Sequence, residues 1–213
     1  MNSNFPLPVV VRCVKNRLDW ANEIADRLGG VLYLDMAKQP TKAFAGSLFM
    51  FAGKGHLNLE DDALLSKEFE PKVLEAVKKY GNNVIRFFPG VSPYTRGEPT
   101  IQGGSKFMWT QCTWFPDWFP HEYLDWALKN NFTAHPDDRW GNFDTSVREF
   151  LVATKRKFVC WYPLYVQHRL GSSTIGPRSS KRQSLLFYDT LDQVNLQPAK
   201  NGLLKAVLKT EDE

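Results

Sequence analysis

The sequence predicts an α/β domain built on a largely parallel central sheet. Strand-length apolar runs alternate with helix-period segments through the first third of the chain, the pattern of strands joined by crossover helices. With 43% hydrophobic and 14% aromatic residues over a length of 213, a domain of this size buries a core without disulfide staples.

PVVVRCV, residues 8–14, reads as a buried first strand. NRLDWANEIADRLGG follows with helical spacing and stops at Gly29 and Gly30, because glycine suits the left-handed end of a helix. VLYLD is the second strand and ends on Asp35, residues 41–53 read as a helix, and HLNLE is the third strand. The segment ALLSKEFEPKVLEAVKKY has apolar positions spaced for a helix, here placed over 70–80, and NNVIRFF is a further strand. Residues 89–107 are dense in Pro and Gly and predict an irregular loop, of a composition that suits a lid over a donor. WTQCTWFPDWFPHEYLDWALKN packs aromatics ahead of a short helix, and FDTSVREFLVATKR predicts a helix starting near Asp144 or Thr145. VCWYPLYVQH is a late strand or strand pair, after which the chain turns polar and basic.

Composition excludes several classes. The cysteines, Cys13, Cys112 and Cys160, are odd in number and form no CxxC pair, which argues against a disulfide framework or a cysteine-rich zinc site and for a reducing, cytoplasmic compartment. The apolar run near the N-terminus is brief, broken by prolines and followed by Arg12 and Lys15, so no secretory signal is expected. No run is long enough to span a bilayer. The net charge of +4 is mild, but positive residues gather at Arg169, Arg178, Lys181 and Arg182. That gathering is either a solvated face or a track for a polyanion.

Three constellations carry candidate chemistry. In HLNLEDDALLSKEF, Glu60, Asp61 and Asp62 stand at the end of a strand, where they offer hard oxygen ligands for Mg²⁺ or Mn²⁺. The competing reading makes Asp61 and Asp62 the cap and first-turn acids of the next helix. In HPDDRWGNFD, Asp137, Asp138 and Asp144 precede a helix; one carboxylate is a candidate general base, and capping or turn formation is the alternative. In WYPLYVQHRLGSSTIG, His168 ends a strand ahead of Ser172, Ser173 and Gly176. The histidine is a metal-ligand candidate, or a structural residue, and the small-residue loop can bind phosphate through backbone N–H and hydroxyl groups.

The order of these motifs resembles that of GT-A fold glycosyltransferases, most closely the small bacteriophage glycosyltransferases and the related lipooligosaccharide-modifying family. LEDDA matches their metal-binding DxD-type motif and PLYVQHRLGSSTIG their P-x-x-V-x-H-x-x-x-S-S-x-x-G motif; the DDRWG match is looser. The resemblance implies a GT-A-like, Rossmann-like domain over residues 1–190 with a C-terminal tail over 191–213. It also implies a Mn²⁺ or Mg²⁺ cofactor and a nucleotide-sugar donor, expected to be a UDP-sugar. Asp62 and His168 would be the metal ligands. Arg12, Asn16, Arg17, Asp35, Glu60, Asp61, Ser172 and Ser173 would bind the nucleotide, and Asp138 or Asp137 would be the acceptor-side base. The triplet reads Glu-Asp-Asp rather than a strict DxD, which leaves the ligand among its three carboxylates open.

Trp109, Trp114, Trp118, Trp126 and Trp140 are expected around the acceptor side, most as core and one or two as stacking platforms. With the phage likeness and the basic segment, the favoured acceptor is a hydroxymethylated base in DNA, which would place the protein in the host cytoplasm. Two alternatives stay open: a lipopolysaccharide or other glycan acceptor, and a non-catalytic nucleic-acid-binding domain.

Overall fold

Val9–Cys13 forms β1 with every residue buried, as a strand covered on both faces requires. The computed structural model describes residues 5–88, 98–108, 110–130, 143–162 and 165–169. After β1, a 3-10 turn at Lys15–Arg17 leads into α1, Leu18–Leu28, which closes on Gly29 at φ 64°. Only glycine adopts that left-handed geometry without a Cβ penalty. β2 is Val31–Leu34, α2 is Pro40–Phe49 with proline at its start, and β3 is His56–Glu60. Next come β4 at Ala63–Leu65, α3 at Phe69–Tyr80 and β5 at Val84–Arg86. β6 is Thr100–Gly103, β7 is Cys112–Phe115 and α4 is Trp118–Lys129. α5 is Phe143–Ala153, β8 is Lys157–Cys160 and β9 is Val166–His168.

The main sheet has seven strands in the order β2-β1-β3-β7-β5-β8-β6. β2, β1, β3, β5 and β8 point one way, and β7 and β6 run against them. The sheet is therefore mixed but mostly parallel. Two packing layers cover it. On one side Val9 and Val11 pack with Ala21, Ile24 and Leu28 of α1 and with Val73 and Ala76 of α3. On the other, Phe44 and Leu48 of α2 pack with Phe119 and Tyr123 of α4 and Phe150 of α5. No described helix is long and apolar enough to cross a membrane.

Three segments depart from the sequence reading. Ala63–Leu65 is strand rather than helix, paired antiparallel with β9, so a tertiary partner overrides a local helical period. Cys112–Phe115 is a strand buried along its whole length, which leaves no apolar/polar alternation to detect. Thr100–Gly103, inside the expected loop, is an edge strand against β8. α2 also ends at Phe49, short of residue 53. The expected tail and the boundary at residue 190 lie outside the described residues.

Candidate functional site

In the order β2-β1-β3-β7-β5 the chain leaves β1 toward β2 on one side and leaves β3 toward β5 on the other, which makes the carboxyl ends of β1 and β3 the switch point where an open α/β sheet forms a ligand crevice. In that register Arg12 faces Glu60, and the Asp61 N–H donates to the Arg12 carbonyl at 3.0 Å. The chain then turns through Asp61 and Asp62 into β4. Because β4 pairs with β9, Ala63 stands opposite His168, and the Arg169 N–H donates to the Asp62 carbonyl at 2.6 Å. Backbone pairing thus joins the Glu-Asp-Asp motif to the histidine motif. α3 begins at Phe69 after Glu68, so Asp61 and Asp62 do not cap the next helix.

The two aspartates share one cation. Arg17 Nη1 donates to Asp61 Oδ1 at 2.9 Å and to Asp62 Oδ2 at 2.8 Å. His168 Nε2 lies 3.2 Å from the same Asp62 Oδ2. All four side chains are buried, and Asp61 Oδ2 also accepts the Val14 N–H at 3.0 Å. Asp62 Oδ1, by contrast, is buried with no hydrogen-bond partner among the described residues. His168 Nδ1 sits 2.9 Å from the Arg169 carbonyl, which makes Nδ1 the donor and turns Nε2 toward Asp62.

These contacts split the electrostatics of neighbouring acids. Burial, reinforced by the Asp62 charge, pushes Asp61 up to about 6 against the opposing pull of Val14 N–H and Arg17. Burial acts on Asp62 in the same direction, but the hydrogen bond and charge of His168 together with Arg17 hold its carboxyl below the ordinary range. His168 is raised: burial works against its charged form, and the Asp62 hydrogen bond and charge outweigh that cost.

A second polar set supports Glu60. The buried Arg12 donates through Nε to Asn58 at 2.7 Å and through Nη2 to Glu60 at 3.2 Å. Its guanidinium lies over the Phe143 and Phe44 rings, 4.5 and 5.1 Å from their centroids. Thr110 Oγ1 approaches Glu60 Oε1 at 3.3 Å and Asp144 Oδ1 at 2.7 Å. Glu60 is thereby held at the mouth of the crevice, its side chain 22% exposed.

Of the expected nucleotide-side residues, Asn16 is exposed in the 3-10 turn after β1. Asp35 follows β2 and accepts the Gln39 N–H at 3.0 Å. Both stand at the same edge of the sheet as Glu60. Arg12 and Arg17 are at that edge too, engaged by the carboxylates. Asp137, Asp138, Ser172, Ser173, Trp109 and Trp140 lie outside the described residues.

The described tryptophans of the expected cluster are packing residues. Trp114 is buried opposite Leu57 and donates to the Gly81 carbonyl at 2.9 Å. Trp118 follows β7, toward the end of β3 remote from Glu60, and Arg156 stacks on it at 3.7 Å. Trp126 packs on Phe150 and Tyr123. Among the described tryptophans, Trp20 of α1 lies beside the cations of this site, 5.6 Å from the Arg17 guanidinium and 5.0 Å from that of Arg169. A lone tryptophan on the half-exposed face of a helix carries no sequence signal that would single it out.

Among the described residues, no three His, Cys, Asp or Glu side chains converge as a ready-made metal cage. The Asp61–Asp62 pair holds the Arg17 guanidinium instead. No protein-family model matches the chain, and neither does any curated protein.

Proposed function

We propose that this protein is a metal-dependent glycosyltransferase that moves a sugar from a nucleotide-sugar donor, a UDP-sugar, to the hydroxyl of a hydroxymethylated base in DNA. The observation that carries the proposal is the buried Asp62 carboxylate at the carboxyl ends of β1 and β3, whose Oδ1 has no partner among the described residues and whose Oδ2 meets His168. A buried carboxylate oxygen without a donor is costly, and a cation coordinated there removes the cost. His168 fits the same role once the charge of the incoming cation displaces the proton from its Nε2, 3.2 Å from Asp62 Oδ2. Its Nδ1–H is committed to the Arg169 carbonyl, the outer-shell bond that orients a metal-binding imidazole.

Asp62 and His168 would hold the ion, Mn²⁺ or Mg²⁺, with Asp61 and Glu60 beside it. When bound, the ion supplies Lewis-acid neutralisation of charge on the leaving diphosphate. The chain's own contribution is placement. Arg12, Asn58 and Thr110 hold Glu60 at the crevice mouth, where its free surface can accept a ribose hydroxyl. Asn16 and Asp35 stand along the same edge, where an open α/β sheet receives a nucleotide. Asp138 or Asp137 would take the proton of the acceptor hydroxyl, leaving its oxygen free to form the new bond at the anomeric carbon. The DNA acceptor rests on the resemblance to phage enzymes and on the basic residues beyond His168.

The acceptor is tested by following labelled sugar from the donor, with Mn²⁺, into duplex DNA carrying hydroxymethylated bases and, in parallel, into lipopolysaccharide oligosaccharide. Label in the DNA base is the expected product. Label only in the oligosaccharide would overturn the DNA assignment while keeping the transferase chemistry.

A further inference from the structure

We propose that Arg17 is a resident counter-cation that a divalent metal must displace from the Asp61–Asp62 pair in order to load. The inference rests on the metal-dependent reading of the site and deepens it by assigning a residue that gates the ion.

One guanidinium nitrogen bonds both aspartates, at 2.9 and 2.8 Å. With Arg17 only 9% exposed, water screens the pair little and the attraction is strong. A cation bridging Asp61 and Asp62 would compete for oxygens that Arg17 already engages. Arg17 does not engage every oxygen of the pair: Asp62 is 5% exposed and its Oδ1 has no partner among the described residues, while Oδ2 and Asp61 Oδ1 are bonded by the protein cation. Arg17 already lies 5.6 Å over the Trp20 ring from the end of the 3-10 turn, a cation–π contact that a guanidinium freed from the aspartates can keep.

Two consequences follow from competition between cations for one anionic pair. Ion affinity in the free protein is weak, because displacing Arg17 opposes loading. An anionic ligand that accepts the displaced guanidinium, such as a nucleoside diphosphate, relieves that opposition, and linkage makes each ligand strengthen the other.

The test is Mn²⁺ titration of the full chain without nucleotide, comparing the wild type with Arg17→Gln. The variant is expected to bind Mn²⁺ about tenfold more tightly, within the usual span of coupling factors, and to gain less than the wild type from added UDP. Equal or weaker Mn²⁺ binding by a folded Arg17→Gln protein overturns the proposal. Removing a buried cation from two carboxylates can unfold a chain, so a second measurement uses the wild type alone. The Arg17 side-chain N–H resonance is followed during titration with diamagnetic Mg²⁺. A shift that saturates with the bound ion supports displacement, and an ion that binds with Arg17 unmoved, or fails to bind at all, sinks it. Neither experiment contains a nucleotide sugar, whose binding is measured separately. Displacement of Arg17 without any nucleotide-sugar binding would keep this inference and remove the transferase reading; nucleotide-sugar binding with unchanged ion affinity would do the reverse.

Discussion

His56 opens β3 with none of its surface exposed, its ring stacked on Phe51 at 4.9 Å. Nδ1 reaches the Lys54 carbonyl at 3.3 Å, and Nε2 has no partner among the described residues. Burial lowers this histidine from 6.5 to about 4. Between those pH values the unfolded chain holds more protons than the folded one. The His56 contribution is therefore fully present above pH 6.5 and is lost as pH drops toward 4, about 3 kcal/mol in all. Asp61, raised to about 6, shifts stability in the opposite sense over the same range, so the His56 part is read as the difference between wild type and His56→Phe in urea unfolding at pH 7 and pH 4.5; the same pH dependence in both proteins would assign the effect elsewhere. Asp62 makes a different prediction. Asp62→Asn keeps the shape of the side chain and removes its charge. Mn²⁺-dependent nucleotide binding should weaken at least about tenfold, the loss produced even by removing an outer partner of a metal ligand, with the circular-dichroism spectrum unchanged. At this scale the sequence announced the acids and His168. It could not announce that Arg17 bonds two of those acids, since that depends on how the 3-10 turn aims one side chain.

The pairing of β4 with β9 is the element that makes the site, because it brings His168 beside Asp62. Arg27 of α1 secures it. Its guanidinium donates to the Leu65 carbonyl at 2.9 Å and grips Glu70 of α3 through two bonds at 2.7 and 2.8 Å. Arg27→Ala should cost about 2 kcal/mol, the scale of lost charge-assisted bonds. It should also speed hydrogen exchange at Ala63–Leu65 and Val166–His168 while β5 and β8 stay protected; uniform exchange across the sheet would contradict a local clamp. A steric prediction concerns β7. A Cβ at Gly55 would lie 2.6 Å from Trp114 Cζ2, and that ring is fixed in the core by its bond to Gly81. Gly55→Ala should lower stability by about 1–3 kcal/mol, the range for overpacking, seen as a lower urea midpoint. β1 announces itself through a continuous apolar run, β3 through the alternation of Leu57 and Leu59 with polar residues, and α1 and α3 through helical periods. β4 and β9 are three residues each, too short for a period to register, and their pairing is set by contacts distant in sequence.

Across the described fold, the crevice follows from connectivity: the chain leaves β1 toward β2 and leaves β3 toward β5, which puts the switch point at the carboxyl edge that Asn16, Asp35 and Glu60 share. The alternation of strands and helices made this edge readable in advance. The insertion of β7 between β3 and β5 was not readable, because strand order is a property of long-range pairing rather than of any one segment. That insertion also places Trp114 and Trp118 away from the carboxylates, so these two described tryptophans serve packing. The central claim is that Asp62 and His168 hold an ion that activates a nucleotide sugar. Its most direct measurement is donor binding and release of nucleoside diphosphate from a panel of nucleotide sugars, with and without Mn²⁺, in wild type and Asp62→Asn. The account predicts one donor that binds and is slowly hydrolysed only with Mn²⁺, and loss of both in the variant. A wild-type protein that binds none of the donors, or binds and cleaves one equally well without metal, would contradict it.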